Sequence, residues 1–219
     1  ESITSILPVC DEFIFAVGKS DDDTLGLIRS IASSKIKIIE TEWDDSLREG
    51  GCVLAAETDK AFRAVSPDSD WAFYIQADEV VHENDLSVIS DSMRKWKDDI
   101  RVEGLLFNYR HFYGSYNYIA NSRRWYRNEV RIIRNAQAIY SYRDAQGFRI
   151  LRGNSWDESA HKQDTRPMSS GKGRALHVKP ISAFINHYGW VKPPQQQQEK
   201  RKAFLGFWES EQWIKNNFK

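Results

Sequence analysis

The sequence predicts an α/β fold, a mostly parallel sheet flanked by helices with an antiparallel extension in the C-terminal half. Three observations carry that expectation. Helix-spaced and strand-like apolar patterns alternate through the first half of the chain, and alternation of this kind implies parallel strands with helices packed on both faces. The second half replaces the alternation with apolar strands joined by long segments rich in aromatics. The 219 residues, 41% hydrophobic and 28% charged, have the composition of a globular domain and show no break that would divide them.

The elements follow in order. Ile3, Ile6, Leu7 and Cys10 repeat at helical spacing, and "FIFAV" (Phe13 to Val17) then reads as a short buried strand. "GKSDDD" is a polar turn whose serine and aspartates suit a helix N-terminus, and Leu25, Ile28, Ile31 and Ala32 form one face of the helix behind it. "KIKIIETE" (Lys35 to Glu42) alternates as a strand does. A helix is expected over Cys52 to Val65 after two glycines, a break at "SPDSD", and a strand in "WAFYIQAD". His82 and Glu83 cap a further helix marked by Leu86, Ile89, Met93 and Trp96. "GLLFNYRHF" (Gly104 to Phe112) and "EVRIIRN" (Glu129 to Asn135) are the strands of the second half. The domain closes near residue 192. "PPQQQQEK" is expected to link it to a final helix bearing Phe204, Phe207, Trp208 and Trp213, over residues 193–219. That helix is too apolar to lie free in water, so it is expected to dock on the domain or on a second copy as a homodimer.

Charge and cysteine usage narrow the function. Lys plus Arg equals Asp plus Glu at 31 each, which removes the global positive field of a nucleic-acid binder. No apolar run reaches the length of a bilayer span and no leader-like segment opens the sequence, so a cytoplasmic protein is expected. Cys10 and Cys52 form no ligand-like pair, which argues against a disulfide framework or a zinc site.

Ligands of an open α/β sheet gather at the carboxyl ends of parallel strands. Two polar clusters are expected there: "GKSDDDT" after Phe13 to Val17, and "QADE" after Trp71 to Ile75. Each has a plain structural reading, helix capping for the first and a strand reaching the surface for the second.

Taken jointly and in order, "DEFIFAVGKSDDDTLGLIRSI", "DWAFYIQADE", "WYRNEVRIIRN" and "INHYGWVKPP" resemble glycosyltransferase family 2, whose members have the nucleotide-sugar-binding fold called GT-A. The resemblance implies a GT-A-like, mostly parallel nucleotide-binding sheet. It also implies a metal-dependent inverting glycosyltransferase that moves a sugar from a nucleotide-sugar donor to a glycan or other hydroxyl acceptor. Asp78 matches the second aspartate of the metal-binding Asp-x-Asp motif, and Gln76 stands in place of the first. His187 matches a late histidine that returns to the metal. A divalent cation, Mn2+ or Mg2+, would neutralise the departing diphosphate, and an imidazole ligand tilts the preference toward manganese. Gly18, Ser20, Asp22, Gln76 and Asp78 are then the donor-binding residues.

An inverting transfer needs a base within reach of the acceptor hydroxyl. Glu129 is the first candidate and Asp144 the second, and either could instead pair with Arg127, Arg131 or Arg143. Trp125 and Tyr126, in a segment of interleaved aromatics and arginines, suit the acceptor. His187 also has a plain reading, as a half-buried histidine among Tyr188 and Trp190. Family members open with a strand ahead of the first helix, and the sequence starts at that helix, so the sheet is expected to lack this strand. Val17 and Gly18 stand where the family commonly places a base-reading aspartate. These departures keep open a non-catalytic relative that binds a glycan or nucleotide without transfer.

Overall fold

The computed structural model of the chain describes residues 1–151 and 173–205. A short helix α1 (Ser2–Ile6) opens the fold. Strand β1 (Phe13–Gly18), helix α2 (Thr24–Arg29) and strand β2 (Ile36–Thr41) then form a parallel unit, with Phe13 opposite Ile36 and Gly18 opposite Thr41. Helix α3 (Cys52–Arg63) starts after Gly50 and Gly51, both at positive φ. Glycine adopts that backbone state without a steric penalty. At Gly51 a Cβ would also come within 2.7 Å of the Asp144 Cβ, so the α3 entry packs directly on the loop that carries Asp144.

Strands β3 (Trp71–Phe73) and β4 (Glu79–Val81) lead to helix α4 (Leu86–Trp96). The long strands β5 (Gly104–Tyr113) and β6 (Asn128–Arg134) follow, then the short strands β7 (Ile139–Tyr142), β8 (Gly147–Leu151) and β9 (Gly173–Ala175). Strand β10 (Val178–Trp190) and helix α5 (Pro194–Leu205) complete the described chain. The glutamine run expected to be a linker is therefore helical. Phe207, Trp208 and Trp213, and the docking expected of them, lie outside the described residues.

The sheet overturns the expected GT-A-like, mostly parallel architecture. The protein is mixed α/β, and its main five-stranded sheet runs β3-β6-β5-β10-β4 and curls into a half-barrel. Of its pairings only β5 with β10 is parallel; β3–β6, β5–β6 and β10–β4 are antiparallel. β1 and β2 stand apart as a two-stranded sheet, and β7-β8-β9 form a third.

The reason lies in where the ladder hydrogen bonds go. Helix–strand alternation does place β1, β2 and β3 in sequence, but β3 pairs only with β6, and "WAFYIQAD" ends its pairing as a regular strand at Phe73. The chain then turns, with the Glu79 N–H donating to the Gln76 carbonyl, and returns as β4 on the opposite edge of the sheet. The second-half strands β5, β6 and β10 supply most of the ladder. β10 has no separate strand signal in the sequence beyond the "INHYGW" motif.

The core sits on this main sheet. Ile6, Val81, Ile89, Leu105, Phe107, Ile132 and Ile185 are buried together, and the predicted stripe Leu86, Met93 and Trp96 of α4 packs against them. Each such side chain contributes roughly 1.5–3 kcal/mol relative to exposure. A second cluster of Phe62, Ile133, Ile139, Phe148 and Leu176 joins α3 and the small sheet to β6. These two cores fix the relative positions of β4, β6 and β10, the elements that carry the polar residues described next.

Candidate functional site

Asp78 leaves the β3 turn immediately before β4, and β4 pairs antiparallel with β10 so that His187 lies opposite Glu79. The Tyr188 N–H donates to the Asp78 carbonyl at 2.8 Å, tying the two segments together. The Asp78 Oδ2 is then 3.3 Å from the His187 Nε2 and 3.3 Å from the Lys200 Nζ of α5. Burial opposes the Asp78 charge, but hydrogen bonding and charge from His187, with Lys200 added, outweigh it and hold the carboxyl down at about 2. Gly189 is the close-approach point of the cluster. A Cβ there would lie 2.2 Å from the Asp78 Oδ2 and 2.7 Å from both the His187 Nε2 and the Lys200 Nζ, so only a hydrogen fits.

His111, which the sequence reading missed, sets the state of His187. It sits on β5 in register with His187 on β10, buried, with the two Nδ1 atoms 3.3 Å apart. Its Nε2 is 3.1 Å from the Tyr126 carbonyl, which can only accept, so that nitrogen carries the proton. Burial and the neighbouring His187 push the His111 imidazole down to about 4, so near neutral pH its Nδ1 is a lone pair. The His187 Nδ1 therefore donates to His111, which leaves the His187 Nε2 facing Asp78: with a proton it donates to the carboxylate, and once that proton is displaced it presents a lone pair to a cation. Two acceptors at this separation repel each other unless a proton or a cation lies between them.

Asp78 and His187 offer two ligand atoms to a cation, one oxygen and one nitrogen, beside the Lys200 ammonium. Among the described residues no cluster of three or more His, Cys, Asp or Glu side chains could hold a metal alone. A cation bound by Asp78 and His187 would need phosphate oxygens and water for its remaining positions, as is usual for magnesium-like sites. The outer partner matters because metal-ligating imidazoles are fixed through their other nitrogen. His111→Phe removes that partner, and manganese affinity, read from the paramagnetic resonance of free ion, is expected to fall by roughly 10- to 100-fold.

The other expected residues divide between site and scaffold. Glu79, the second acid of "QADE", is fully buried and ion-paired with Arg131 at 2.7 Å, so it is structural. The Gln76 side-chain amide donates to the Tyr74 hydroxyl at 3.0 Å, and the Gln76 backbone carbonyl accepts from the Ser2 hydroxyl. Ser20 donates to Asp22, and Asp22 accepts from the Thr24 N–H at 3.0 Å, a local turn just ahead of α2, whose N-cap Asp23 makes no side-chain capping bond. The Trp43 indole covers Gly18 so closely that a Cβ would lie 2.5 Å from its Nε1. No hydrogen bond or ion pair among the described residues joins Gly18, Ser20 or Asp22 to Asp78. His82 accepts from the Asn84 N–H, the expected cap ahead of α4.

Glu129 opens β6, half-buried, with its Oε2 3.8 Å from the Arg131 Nη1. Burial pushes its carboxyl up to about 7; Arg131 pulls it down, while Glu79 and Asp144 push it further up. Asp144 sits in the β7–β8 turn between Arg143 and Ala145, both at positive φ. Burial raises its pKa as well, and its Oδ1 is buried without a hydrogen-bond partner. Tyr126 packs tilted on Tyr109 and edge-on to His111, and Tyr109 packs on His187, while Glu129 acts on Tyr126 by its charge. Trp125 packs on His111 and lines an open cavity of about 660 Å3 with Tyr113, Tyr118, Ile119, Arg124 and Arg201.

The structure thus brings together Asp78 and His187, and through aromatic contacts Trp125 and Tyr126; Glu129 lies beside Arg131. It adds His111 and Lys200, and leaves the β1-end residues apart. The signal for His111 was its "HFY" position in a strand running parallel to "NHYGW". Lys200 follows the glutamine run, and its place could not be read without knowing that the run is a helix. No family model matches the chain, and no curated protein is similar to it. No helix among the described residues is long and apolar enough to cross a membrane.

Proposed function

We propose that the protein is a metal-dependent inverting glycosyltransferase that uses a nucleotide-sugar donor and a glycan or other hydroxyl acceptor. The observation that carries this reading is the Asp78–His187 pair, an anionic oxygen and an imidazole Nε2 turned toward one point, with the other ring nitrogen held by His111. A divalent cation bound there would stabilise charge on a departing diphosphate as a Lewis acid. Lys200 adds a positive charge beside the same point and holds the oxygen in place when the diphosphate is absent. Glu129, with its carboxyl at about 7, takes the acceptor hydroxyl proton when ionised. Trp125 and the Tyr113–Tyr118 cavity offer aromatic faces to the acceptor sugar, and Arg124 and Arg201 offer charge to an acidic substituent.

The reading is tested by calorimetry of uridine and guanosine diphosphates with and without manganese. Tighter binding with manganese is expected, and its loss in Asp78→Asn; manganese-independent binding would exclude the transferase. That second outcome belongs to a non-catalytic nucleotide- or glycan-binding relative, which the neutralisation of Asp78 by Lys200 favours, since the cluster is then already balanced without a metal.

A pH profile probes Glu129. The base form accumulates as pH rises through about 7, so turnover should rise across that range and Glu129→Gln should remove the ascending limb. Stability moves the other way. The folded pKa lies above the usual carboxyl value, so between that value and about 7 the native state holds more protons than the unfolded chain and stability falls as pH rises. Glu129→Gln should flatten that fall in urea titrations at pH 5 and pH 8.

A further inference from the structure

The open cavity of about 660 Å3 beside Trp125 is built from two separate pieces of chain, and it lies within the size range of small-molecule sites. One wall is the segment between β5 and β6. It folds back on β5, with the Tyr113 N–H donating to the Tyr118 carbonyl and the Ala120 N–H to the His111 carbonyl. A turn in which the Trp125 N–H donates to the Ser122 carbonyl then presents Arg124. The other wall is α5, pinned to the end of β10 by the Gln197 side chain, which donates to the carbonyls of Trp190 and Lys192. With α5 so held, Arg201 reaches the Tyr113 hydroxyl at 3.4 Å and sets its guanidinium over the Trp190 ring. Tyr113, Trp125 and Trp190 pack on one another as a layer of rings beneath.

The charge of this cavity is one-sided. Arg124 and Arg201 line it, and no carboxylate does among the described residues. Arg29, Arg48, Arg94, Arg101, Arg131 and Arg174 each sit against a carboxylate at 3.0 Å or less, whereas Arg124 and Arg201 have no ion pair among the described residues. Two like charges brought to one cavity by separate elements repel each other, and an anion between them removes the repulsion. Arginine narrows the anion, because its planar fork matches the oxygens of a carboxylate or a phosphate. The rest of the lining narrows the ligand. Tyr113 and Trp125 offer aromatic faces to a sugar ring, and Asn121 and Ser122 offer hydrogen bonds to its hydroxyls. Trp125 also packs on His111, whose Nδ1 is 3.3 Å from that of His187, so a single layer of rings separates the cavity from the Asp78–His187 pair.

We propose, resting on the transferase reading, that the acceptor is obligatorily acidic: a pyranose carrying one carboxylate or phosphate, its ring on Tyr113 and Trp125 and its anion held between Arg124 and Arg201. A neutral sugar leaves both guanidinium groups in the cavity without a counter-ion. Arg124 and Arg201 therefore select the acceptor and take no part in proton transfer. Consecutive residues of α5 then serve the two halves of the site, Lys200 beside Asp78 and Arg201 in the acceptor cavity.

Ligand-observed NMR titrations of the full chain, without metal or nucleotide, test this with methyl glucoside, methyl glucuronide, glucose-6-phosphate and inorganic phosphate. At least one of the two acidic sugars is expected to bind about tenfold more tightly than methyl glucoside, the weight of one charged hydrogen bond. Which of them does so tells carboxylate from phosphate. Arg124→Gln and Arg201→Gln should each lower that preference several-fold, and the two together should abolish it. Arg124→Lys should keep part of what Arg124→Gln loses, since lysine retains the charge without the fork. Equal affinity for neutral and acidic sugars overturns the proposal, as does binding of neither. Inorganic phosphate bound as tightly as the acidic sugars overturns it too, because the rings then contribute nothing. The outcome is independent of the nucleotide titration. Acid-selective binding alongside manganese-independent nucleotide binding sinks the transferase alone, and manganese-dependent nucleotide binding without acid selectivity sinks the acidic acceptor alone.

Discussion

Asp78→Asn is expected to lower manganese-dependent turnover by at least about 100-fold, the order of loss seen when one electrostatic contact to developing charge is removed. The substitution keeps the shape of the side chain and its contact with His187 but removes the charge that burial alone would not sustain. In the native chain that charge survives burial because His187 and Lys200 outweigh it, with the carboxyl held at about 2. The amide cannot bind a hard cation as a carboxylate does, and its neutral oxygen no longer opposes Lys200. Two readouts separate a site effect from a folding effect. The urea midpoint should change little, whereas manganese binding in the absence of any donor should weaken with turnover. Turnover equal to wild type would remove Asp78 from the chemistry, and unchanged manganese affinity would move the cation elsewhere.

The site was partly legible in the sequence because its parts sit at strand ends, where local pattern and position coincide. Asp78 ends an apolar run, and His187 stands in an aromatic motif; the chain near each residue gave only a strand end and a half-buried histidine, and the resemblance singled them out. Their meeting is a matter of register between β4 and β10, which no local pattern encodes. The same limit explains the wrong sheet. Alternation of helix and strand reports which segments are strands, and it does so well for β1, β2, β5 and β6. It does not report which edge each strand finds, and β3 found β6. Gln76 and Glu79 show the opposite failure. Both are polar residues in a functional-looking string, yet one bonds Tyr74 and the other is buried against Arg131, a partner 52 residues away in sequence. Ser20 and Asp22 were readable as a polar turn ahead of α2, because such turns are local, but the N-cap itself is Asp23 and makes no side-chain bond.

Glu79→Ala is expected to destabilise the fold by roughly 3–5 kcal/mol, the range for breaking a buried ion pair from one side. Arg131 is 1% exposed and its Nε and Nη2 donate to the Glu79 carboxylate, with the guanidinium held between the Tyr74 and Tyr109 rings. Pairing with Glu79 raises the Arg131 pKa against the effect of burial, and that support is lost with the partner, leaving a buried guanidinium without its main counter-ion. The Tyr109 hydroxyl and the Gln76 N–H lose an acceptor in the same substitution. Removing both charges is a different perturbation. Glu79→Met with Arg131→Leu removes both buried charges together and should recover much of the loss, because the desolvation of the pair offsets most of its attraction. Screening reaches a buried pair weakly, so the single-variant loss should change little between low and high salt. Urea midpoints at constant m-value measure all three variants. A single-variant loss below about 1 kcal/mol would place the pair in the range of exposed ion pairs and contradict its burial. The consequence reaches the site through the backbone: Glu79 binds β4 to β6 one residue from Asp78, so a chain that lets β4 shift also loses the His187 register. Manganese affinity should therefore fall with stability in Glu79→Ala and return with it in the double variant.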